Sequence, residues 1–400
     1  MEVECRPLFV TPFIFNEWTI NSIINTAFVE SLPDSFYPTF LCTKHSNYTE
    51  KGRLLMTNGN IGVRGLLRFT PQTIIQRLEQ YPDIYYAFWY KSAVKLATAF
   101  LKKNKISYIH SFSIPYTSHL VACELKKRFD IPWIAQFYEP WGDNPYRRIS
   151  DKIVSKNIYW EKECATLSDV IIHDNDKLCS HWKNKYGNIV KDKLFTLPMS
   201  FELKEENQPL KHNIGRDKLR ISHVGNMYGM RRADSFIKAL FELIQEDPLL
   251  RNKIEVYFVG RMNPDDISLV EKLGLQDVVR IVGVLSEKEC ESFYKNADIF
   301  LLVEAEDQGP YFYPSKLVRY FSYNRPIFAL TNTNSVTCDE LRKSGHSFCS
   351  PSDISSIKAY LMKALADFDS LLEFDKNAWK KFDSHNVAKE YLKIVNNLLK

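Results

Sequence analysis

The chain has 400 residues, of which 45% are hydrophobic and 25% are charged. This length favours two domains over one, and the composition is that of a globular protein rather than a fibrous or disordered one. The net charge of +5 comes from the first half, residues 1–200, which contains 25 Lys and Arg residues but only 19 Asp and Glu residues. Basic runs occur at 102–103, 126–128 and 147–148. They could form a solvated face, contact an anionic membrane surface or bind nucleic acid. Nucleic acid is the least favoured partner, because no nucleic-acid-binding motif accompanies the charge.

In the first half, short β-rich segments alternate with helical ones. The pattern predicts strand 8–13, helix 20–30, helix 91–103, strand 107–112, helix 117–129, strand 132–137, helix 159–167, strand 170–173, helix 177–186 and strand 194–198. Because parallel strands need helical crossovers, this alternation is typical of a parallel sheet covered by helices.

A polar segment without periodicity, 202–216, separates this half from a second alternation. That alternation predicts strand 219–224, helix 233–245, strand 255–259, helix 266–273, strand 279–282, helix 287–296, strand 299–303, helix 315–323 and strand 326–330. We therefore expect domains at 1–201 and 217–375, the linker 202–216, and a helical segment 376–400 that packs back towards the first domain. Doubly wound domains bind ligands at the carboxyl ends of their strands, so the site is expected in a cleft between the two domains.

Cysteine usage and hydropathy predict a location and exclude some chemistry. The eight cysteines occur singly, without a Cys-x-x-Cys pair, which argues against zinc ribbons and suits a reducing cytosol. The apolar runs are too short to span a bilayer, and the N-terminus does not resemble a cleaved signal. The sequence thus predicts a cytoplasmic protein, with peripheral contact at the inner face of the plasma membrane as a further expectation.

The second domain opens with "ISHVGNMYGMRRADSFIKAL", in which a strand leads through Gly225 and a loop to two arginines and a helix. Glycine lets the backbone approach a ligand, and a helix N-terminus offers amide groups to phosphate. Arg231 and Arg232 could then neutralise a leaving diphosphate. A glycine after a strand is also common in loops that bind nothing, and the Gly-x-Gly-x-x-Gly fingerprint is absent.

The segment "YPSKLVRYFSYNRPIFAL" supplies a second element of an anion site. Ser315 and Lys316 lie in the first turn of the predicted helix, where free amide groups favour anions. Proline and serine also begin helices for structural reasons alone, with the charges solvated. Two such segments at the strand ends of one domain together favour a diphosphate site.

Longer segments carry a family resemblance over most of 106–366. They are "HVGNMYGMRR", "VYFVGR", "VRIVGVLSEKECESFYKNADIFLLV" and "PSKLVRYFSYNRPIFAL" in the second half, and "IHSFSIPYTSHLVACELKKRFDIPWIAQFYEPW" and "EKECATLSDVIIHDND" in the first. As an ensemble they resemble GT-B-fold glycosyltransferases, particularly the retaining family 4 of bacterial polysaccharide biosynthesis. The resemblance implies two Rossmann-like domains facing a central cleft. It also implies transfer of a sugar from a nucleotide-sugar donor to a glycan or polyprenyl-linked acceptor, with retention and without a metal or other cofactor.

On the donor side, the resemblance assigns a set of residues. Those expected against the diphosphate or its phosphates are Gly225, Asn226, Tyr228, Arg231, Arg232, Ser315 and Lys316, and those bordering the base are Gly260, Gly283 and Val284. Arg319 stands where many relatives have a Glu that holds the ribose, and Tyr311 stands at the position of that Glu's partner. Arg319 could pair with Glu304 or Glu306, contact phosphate, or be solvated.

On the acceptor side, Glu139 replaces the Asp of an Asp-Pro-Trp motif at a strand end, where acceptor hydroxyl and transferred sugar would meet. The other candidates are His110 and His119 as acid–base groups, Tyr138 and Trp141 as stacking surfaces, and Glu161 to orient the acceptor or brace the Glu139 loop. Each also has a structural interpretation as a packed or hydrogen-bonded residue. The segment 174–176 imitates an Asp-x-Asp metal motif, but it directly precedes a predicted helix, so capping is favoured and no metal site is predicted.

Two other functions stay open. A GT-B-fold sugar epimerase or phosphorylase would share the nucleotide or phosphate site. A non-catalytic partner subunit is favoured by the missing pair of carboxylates at 311 and 319. Hydrolase and NTPase functions have no support, because no Ser/His/Asp order, zinc spacing or Walker loop is present.

Overall fold

The computed structural model describes residues 5–16, 19–44, 46–47, 49–57, 87–145, 151–203, 218–227, 229–307 and 309–400. The chain divides into two compact units. The first comprises Met1–Glu202 together with Lys381–Lys400, and the second comprises Leu203–Lys380. Most of the predicted linker, 204–216, lies outside the described residues, as do Tyr228 and the basic pair 147–148.

Parallel strands and covering helices make up both units. The strands are β1 (Leu8–Val10), β2 (Thr39–Thr43), β3 (Arg53–Thr57), β4 (Ile109–Phe112), β5 (Trp133–Phe137), β6 (Val170–His173), β7 (Leu194–Thr196), β8 (Leu219–Val224), β9 (Ile254–Val259), β10 (Val279–Gly283), β11 (Ile299–Val303), β12 (Ile327–Leu330) and β13 (Ser347–Cys349). The helices are α1 (Ile20–Glu30), α2 (Ala87–Leu101), α3 (Thr117–Phe129), α4 (Asp151–Leu167), α5 (Asp176–Tyr186), α6 (Asp234–Glu246), α7 (Pro264–Lys272), α8 (Glu287–Asn296), α9 (Ser315–Ser322), α10 (Val336–Ser344), α11 (Ile354–Ala366) and α12 (Ser384–Leu398). None of these described helices combines the length and the hydropathy needed to cross a bilayer.

The first unit contains a parallel sheet with strand order β3-β2-β1-β4-β5-β6-β7. The order reverses direction at β1 and β4, which pair directly, with Phe9 opposite His110. Every residue of β4, β5 and β6 is buried, as expected for parallel strands covered on both faces. The carboxyl ends of such strands at a reversal of strand order are the usual ligand-binding edge of an open α/β sheet.

Helix α12 completes the core of the first unit, although it comes from the end of the chain. Val387 and Tyr391 belong to the same buried cluster as Phe9 of β1 and Phe28 of α1. The phenol of Tyr391 lies 2.7 Å from Nδ1 of His110. The buried face of α12 is therefore part of the first unit's core.

A buried hydrogen-bond chain runs from α12 into the sheet. Nε2 of His110 lies 3.0 Å from Oε1 of Gln136 and donates to it, so Nδ1 accepts from Tyr391. The Tyr391 oxygen in turn accepts from Tyr108, 2.8 Å away. Burial lowers the pKa of His110 to about 3, so its ring is neutral. Each polar group in this hydrogen-bond network has a partner. A polar group can be buried without a large cost in folding free energy only when it is hydrogen-bonded.

Tyr391→Phe is expected to destabilise the protein, because it leaves Nδ1 of the buried His110 without its donor. Leaving such a group unsatisfied costs about 1–3 kcal/mol of unfolding free energy. Urea titration followed by circular dichroism measures the effect, with Tyr37→Phe as the matched control because Tyr37 is 51% exposed. Equal unfolding midpoints for the two variants would contradict the stabilising role of this hydrogen-bond network.

The second unit contains a parallel sheet with strand order β10-β9-β8-β11-β12-β13. Helix α6 packs on it through Phe236, Leu240 and Leu243, which recur at helical spacing and are buried in the unit's main core cluster. The reversal of strand order lies between β8 and β11, so their carboxyl ends mark the edge where a ligand is expected.

Candidate functional site

Two glycine loops form the ligand-binding edge of the second sheet. Gly225 follows β8, and its amide donates to the carbonyl of Val259 at 2.8 Å. Gly260 follows β9, and its amide donates to Gly283 at 2.7 Å. Both loops thus continue the parallel hydrogen-bond ladder past the strand ends, which fixes their backbones at the same edge.

Close approach makes glycine necessary in both loops. Gly260 has φ +114°, and a β-carbon there would lie 2.7 Å from the carbonyl carbon and oxygen of Gly225. Gly225 has φ +135°, and a β-carbon there would lie 2.9 Å from Nζ of Lys316. Contacts this short displace atoms, so a side chain at either position would displace the loop or the lysine. Because Gly225 and Gly260 have no side chains, Lys316 can reach the carboxyl ends of the strands.

Lys316 lies in the first turn of α9, whose N-cap is Pro314. Its Nζ lies 3.1 Å from Nε2 of His223 and 3.4 Å from the carbonyl oxygen of Asn226. Nδ1 of His223 lies 2.9 Å from the Leu301 carbonyl oxygen, and Nε2, which faces the lysine, also lies 3.1 Å from the Gly225 carbonyl oxygen. Burial holds the pKa of His223 well below its usual range, and the ring is neutral.

Two positive groups meet at this edge. Arg231 is only 6% exposed. Burial, followed by the neighbouring Arg231 guanidinium, lowers the pKa of Lys316 to about 7, with a smaller opposing effect from Glu304. A bound anion would relieve both effects, because it restores the stability of the charged amine. The structure therefore brings together Lys316, Arg231 and the backbone at Gly225, and their role in binding a donor stays a prediction.

Arg232 does not join them, and its predicted role is corrected. Its guanidinium lies 2.7 Å from the buried carboxylate of Asp266 and 3.4 Å from Asp265. Asp266 also accepts from the amide of Ala233 at 2.9 Å. Arg232 is therefore held against α7, where it helps to fix the start of α6. Asn226 has a similar supporting role, because its side-chain oxygen accepts from the amide of Arg261 at 2.8 Å.

Arg319 pairs with carboxylates that the sequence analysis did not suggest. Its guanidinium lies 2.8 Å from Glu287 and 3.5 Å from Glu291, both on α8. Glu304 instead accepts from Thr331, and Glu306 accepts from Ser350. The guanidinium of Arg319 is therefore held by α8, a pairing outside the alternatives left open for it.

The remaining donor-side candidates occupy simpler positions. Gly283 ends β10 with φ +82°, and Val284 after it is 63% exposed. Ser315 is the first residue of α9. Tyr228 lies outside the described residues. An exposed valine beside a glycine at the strand edge is compatible with contact to a planar base, and this role stays a prediction.

Both histidines predicted on the acceptor side are core residues. His110 is fully buried, with both ring nitrogens used as described above. His119 is also fully buried, and its Nδ1 accepts from Ser111, which itself accepts from the indole of Trp133. Burial holds the pKa of His119 well below its usual range. The acid–base role predicted for both is corrected, because neither ring reaches the surface of the sheet edge.

The aromatic candidates are packed within the first unit and offer no free stacking surface. Trp141 is 1% exposed and stacks on Tyr116, with ring centroids 4.6 Å apart. The Tyr138 hydroxyl accepts from Gln136 and donates to Asn25 at 2.7 Å. The expectation that Tyr138 and Trp141 stack on an acceptor is corrected, since both rings are already packed.

Glu139 is half-buried and has a defined orientation. Its Oε1 accepts from the Tyr116 hydroxyl at 3.1 Å and from Asn144 at 2.9 Å. Glu161 braces the same loop from below, because it accepts from the amide of Gly142 and pairs with Lys185 at 2.6 Å. Of the two predicted roles for Glu161, these contacts correspond to the bracing one.

Comparisons with known proteins now add to this geometry. Residues 204–381 match the family model described as "Glycosyl transferases group 1". This part of the chain is therefore similar to the group 1 glycosyltransferases. Comparison of the sequence with curated proteins gives no match.

Solved structures extend the similarity beyond residues 204–381 to nearly the whole chain. Anabaena HepE in complex with UDP and glucose is 10% identical, with 98% of this chain and 100% of that chain covered and a TM-score of 0.64. Sucrose-phosphate synthase from Thermosynechococcus elongatus is 14% identical, with 99% of each chain covered and a TM-score of 0.68. The lipopolysaccharide outer core galactosyltransferase WaaB is 12% identical, with 98% and 99% covered and a TM-score of 0.64. The chain therefore has the GT-B fold of two Rossmann-like domains, as the sequence predicted.

Two residues that contribute to the candidate site in the second unit were not predicted from the sequence. His223 lies within β8 and reads as one position of a buried strand, yet it is the group that contacts Lys316. Tyr320 on α9 accepts from the amide of Val224 at 2.9 Å and so fixes the end of β8. The position of His223, two residues before the loop glycine, was a signal that could have identified it. The sequence around Tyr320 does not distinguish it from any other buried tyrosine.

Proposed function

We propose that this GT-B protein transfers a sugar from a nucleotide-diphosphate sugar to a hydroxyl of a glycan or lipid-linked saccharide, in surface polysaccharide biosynthesis. The observation that carries the proposal is the convergence of Lys316 and Arg231 on the glycine backbone at the edge of the second sheet. Two neighbouring cations, one of them against the backbone of a loop glycine, match the charge of a diphosphate.

In the proposed reaction, the leaving nucleotide gains negative charge as the bond to the sugar breaks. Lys316, Arg231 and the amides of the first turn of α9 would stabilise that charge without rearranging. We infer retention of the anomeric configuration, with a donor phosphate oxygen helping to deprotonate the incoming hydroxyl. Glu139, whose orientation is fixed by Tyr116 and Asn144, would contact the acceptor.

UDP is the first nucleotide to test, because structures of the similar Anabaena HepE hold UDP and UDP-glucose. Calorimetry with UDP and GDP should show binding of at least one, and release of that nucleotide from its sugar conjugates should follow on addition of acceptors. Since Lys316 and Arg231 supply the positive charge, EDTA should leave the activity unchanged. Failure of every nucleoside diphosphate to bind at millimolar concentration would instead favour the non-catalytic subunit.

The affinity for UDP-glucose is expected to fall above pH 7, because the pKa of Lys316 in the unliganded protein is about 7. Bound diphosphate would raise this pKa, so below pH 7 the amine is already charged, and above it each binding event takes up a proton. The affinity should then fall by up to about tenfold per pH unit. Calorimetry in buffers of different ionisation enthalpy measures the proton uptake. Lys316→Met should abolish it, and equal affinity of the wild-type protein at pH 6 and pH 9 would contradict the assignment.

We also propose peripheral contact between the first unit and an anionic membrane. Lys91, Lys95 and Lys102 lie on one face of α2 and its end, where with Arg128 they line a groove of about 500 Å³. A lysine near an anionic bilayer contributes about 1 kcal/mol, so replacing the three lysines with alanine should weaken binding to phosphatidylglycerol vesicles about a hundredfold. Sedimentation at low and high salt tests this, with Lys343→Ala as the control. Binding that is insensitive to both salt and the triple substitution would refute it.

A further inference from the structure

A buried histidine joins three elements at the reversal of strand order in the second sheet. His223 lies in β8, two residues before Gly225, and is fully buried. Its Nδ1 lies 2.9 Å from the carbonyl oxygen of Leu301 on the neighbouring strand β11. Its Nε2 lies 3.1 Å from Nζ of Lys316 in α9 and 3.1 Å from the carbonyl oxygen of Gly225. One ring therefore links both strands at the reversal to the lysine of the proposed donor site.

The single proton of this ring decides which of these contacts are hydrogen bonds. A neutral imidazole carries one N–H, and its other nitrogen is an acceptor. Protonated at Nδ1, the ring donates to Leu301 and accepts from Lys316. Protonated at Nε2, it donates to Gly225, but Nδ1 and the Leu301 carbonyl oxygen are then two acceptors in contact. Each tautomer leaves one such pair of acceptors, but only the first makes two hydrogen bonds, and it places the amine of Lys316 beside the pair that remains.

The amine of Lys316 has two acceptors among the described residues. Besides Nε2 of His223, the carbonyl oxygen of Asn226 lies 3.4 Å from Nζ. An ammonium has three N–H donors, so one is left for an oxygen of a ligand. Both acceptors are fixed, since one belongs to β8 and the other to the loop that follows it. A long side chain that is already held loses less conformational freedom when a ligand binds, which favours binding.

The charge of Lys316 depends on the same surroundings. Burial, followed by Arg231 in the loop before α6, lowers the pKa of Lys316 to about 7, and Glu304 after β11 has a smaller opposing effect. Burial, followed by the charge of Lys316, also holds the pKa of His223 well below its usual range, so the ring stays neutral. A neutral ring that accepts from the amine favours the charged form of the amine, because a charged donor makes the stronger hydrogen bond.

We propose that His223 is a positioning residue of the donor site, in which Nε2 accepts a hydrogen bond from Lys316 and holds the amine over Gly225 while Nδ1 anchors the ring to β11. The ring itself does not touch the donor, because it is fully buried. It acts through the lysine, whose remaining N–H is directed to a phosphate oxygen. This inference rests on the proposed function, since it takes the ligand of Lys316 to be the diphosphate of a nucleotide-sugar.

The tautomer of His223 can be measured in the protein without a ligand. Long-range proton–nitrogen correlation spectra distinguish a ring nitrogen that carries a proton from one that does not, and His223→Gln identifies the signals. We expect Nδ1 to carry the proton, and we expect the Nε2 signal to shift in Lys316→Met, which removes the donor. A ring protonated at Nε2, or an Nε2 signal that Lys316→Met leaves unchanged, overturns the proposal.

Two substitutions separate the roles of the two ring nitrogens. Glutamine extends its amide to about the position of Nε2, whereas asparagine reaches only that of Nδ1. Calorimetry with UDP should therefore show binding about tenfold to a hundredfold weaker in His223→Asn, and no more than a few-fold weaker in His223→Gln. The pH above which UDP affinity falls should also be lower in the Asn variant, because the charged amine loses an acceptor. The opposite order of affinities, or equal losses in the two variants, overturns the proposal.

His346→Asn is the matched control, because His346 is also buried and precedes β13 at the opposite edge of the same sheet. This variant should bind UDP like the wild type. Thermal unfolding checks that all variants fold, and the tautomer of the wild-type ring decides the proposal if a His223 variant does not. Failure of the wild-type protein to bind UDP and GDP would count against the proposed function, whereas the tautomer still tests the contact between His223 and Lys316.

Discussion

Lys316→Ala is expected to lower kcat on the order of a hundredfold, which is the usual effect of removing one group that stabilises a developing negative charge. The expectation follows from the position of Nζ, which lies over Gly225 with the buried Arg231 nearby. Because the charge on the leaving nucleotide is greatest in the transition state, kcat should fall more than the affinity for the intact donor. Rapid-quench measurement of nucleotide release separates the two effects.

Arg231→Ala should show the same pattern, since both cations act on one diphosphate. The matched control is Lys253→Ala, an exposed lysine that precedes β9 at the opposite edge of the same sheet. Arg232→Ala should instead lower stability with a smaller effect on kcat, because its guanidinium is bound to Asp266. Unchanged nucleotide release in the Lys316 and Arg231 variants would remove the proposed donor site.

Gly260→Ala is expected to destabilise the second unit by about 2–5 kcal/mol and to weaken UDP binding at least about tenfold. The reason is twofold: φ at this position is +114°, and the new β-carbon would meet the Gly225 backbone at 2.7 Å. Neither atom at that contact belongs to a flexible side chain, so the loop that holds Lys316 must move. Thermal unfolding and calorimetry with UDP measure the two effects.

Gly274→Ala isolates the contribution of backbone conformation. Gly274 also has positive φ, +64°, but a β-carbon there would have no atom within 4 Å. Its substitution should cost about 1–2 kcal/mol and leave UDP affinity unchanged. Equal loss of UDP binding in the two variants would show that the contact between the two glycine loops does not shape the site.

Strong local patterns in the sequence were sufficient to predict the βα alternation and hence both parallel sheets. Helix α1 was predicted with its observed bounds, because an apolar periodicity follows the capping residue Thr19. Strands β2 and β3 were missed, since five-residue runs between polar segments are compatible with several structures. Helix α4 begins at Asp151, eight residues before its predicted start, because its first turns carry few apolar residues.

The parts of the donor site that depend only on strand topology could be predicted from the sequence. The partners of individual side chains could not. Parallel strands end at one edge, so Gly225 and Lys316 could be placed together from their positions in the βα pattern. Arg231 and Arg232 are chemically identical neighbours, and only the fold shows that Asp266, 34 positions further along the chain, engages the second of them. Likewise, nothing local shows that His110 faces Tyr391 in the core rather than a ligand.

The return of α12 to the first unit has a consequence for biosynthesis. The N-terminal residues leave the ribosome long before Tyr391 is synthesised, so the emerging first unit lacks until then the partner that satisfies His110. The second unit is a single continuous segment of the sequence, so it can fold while the first unit is still incomplete. A fragment that stops after the seventh strand should therefore be insoluble or loosely folded unless the last twenty residues are supplied to it, either in trans or by circular permutation.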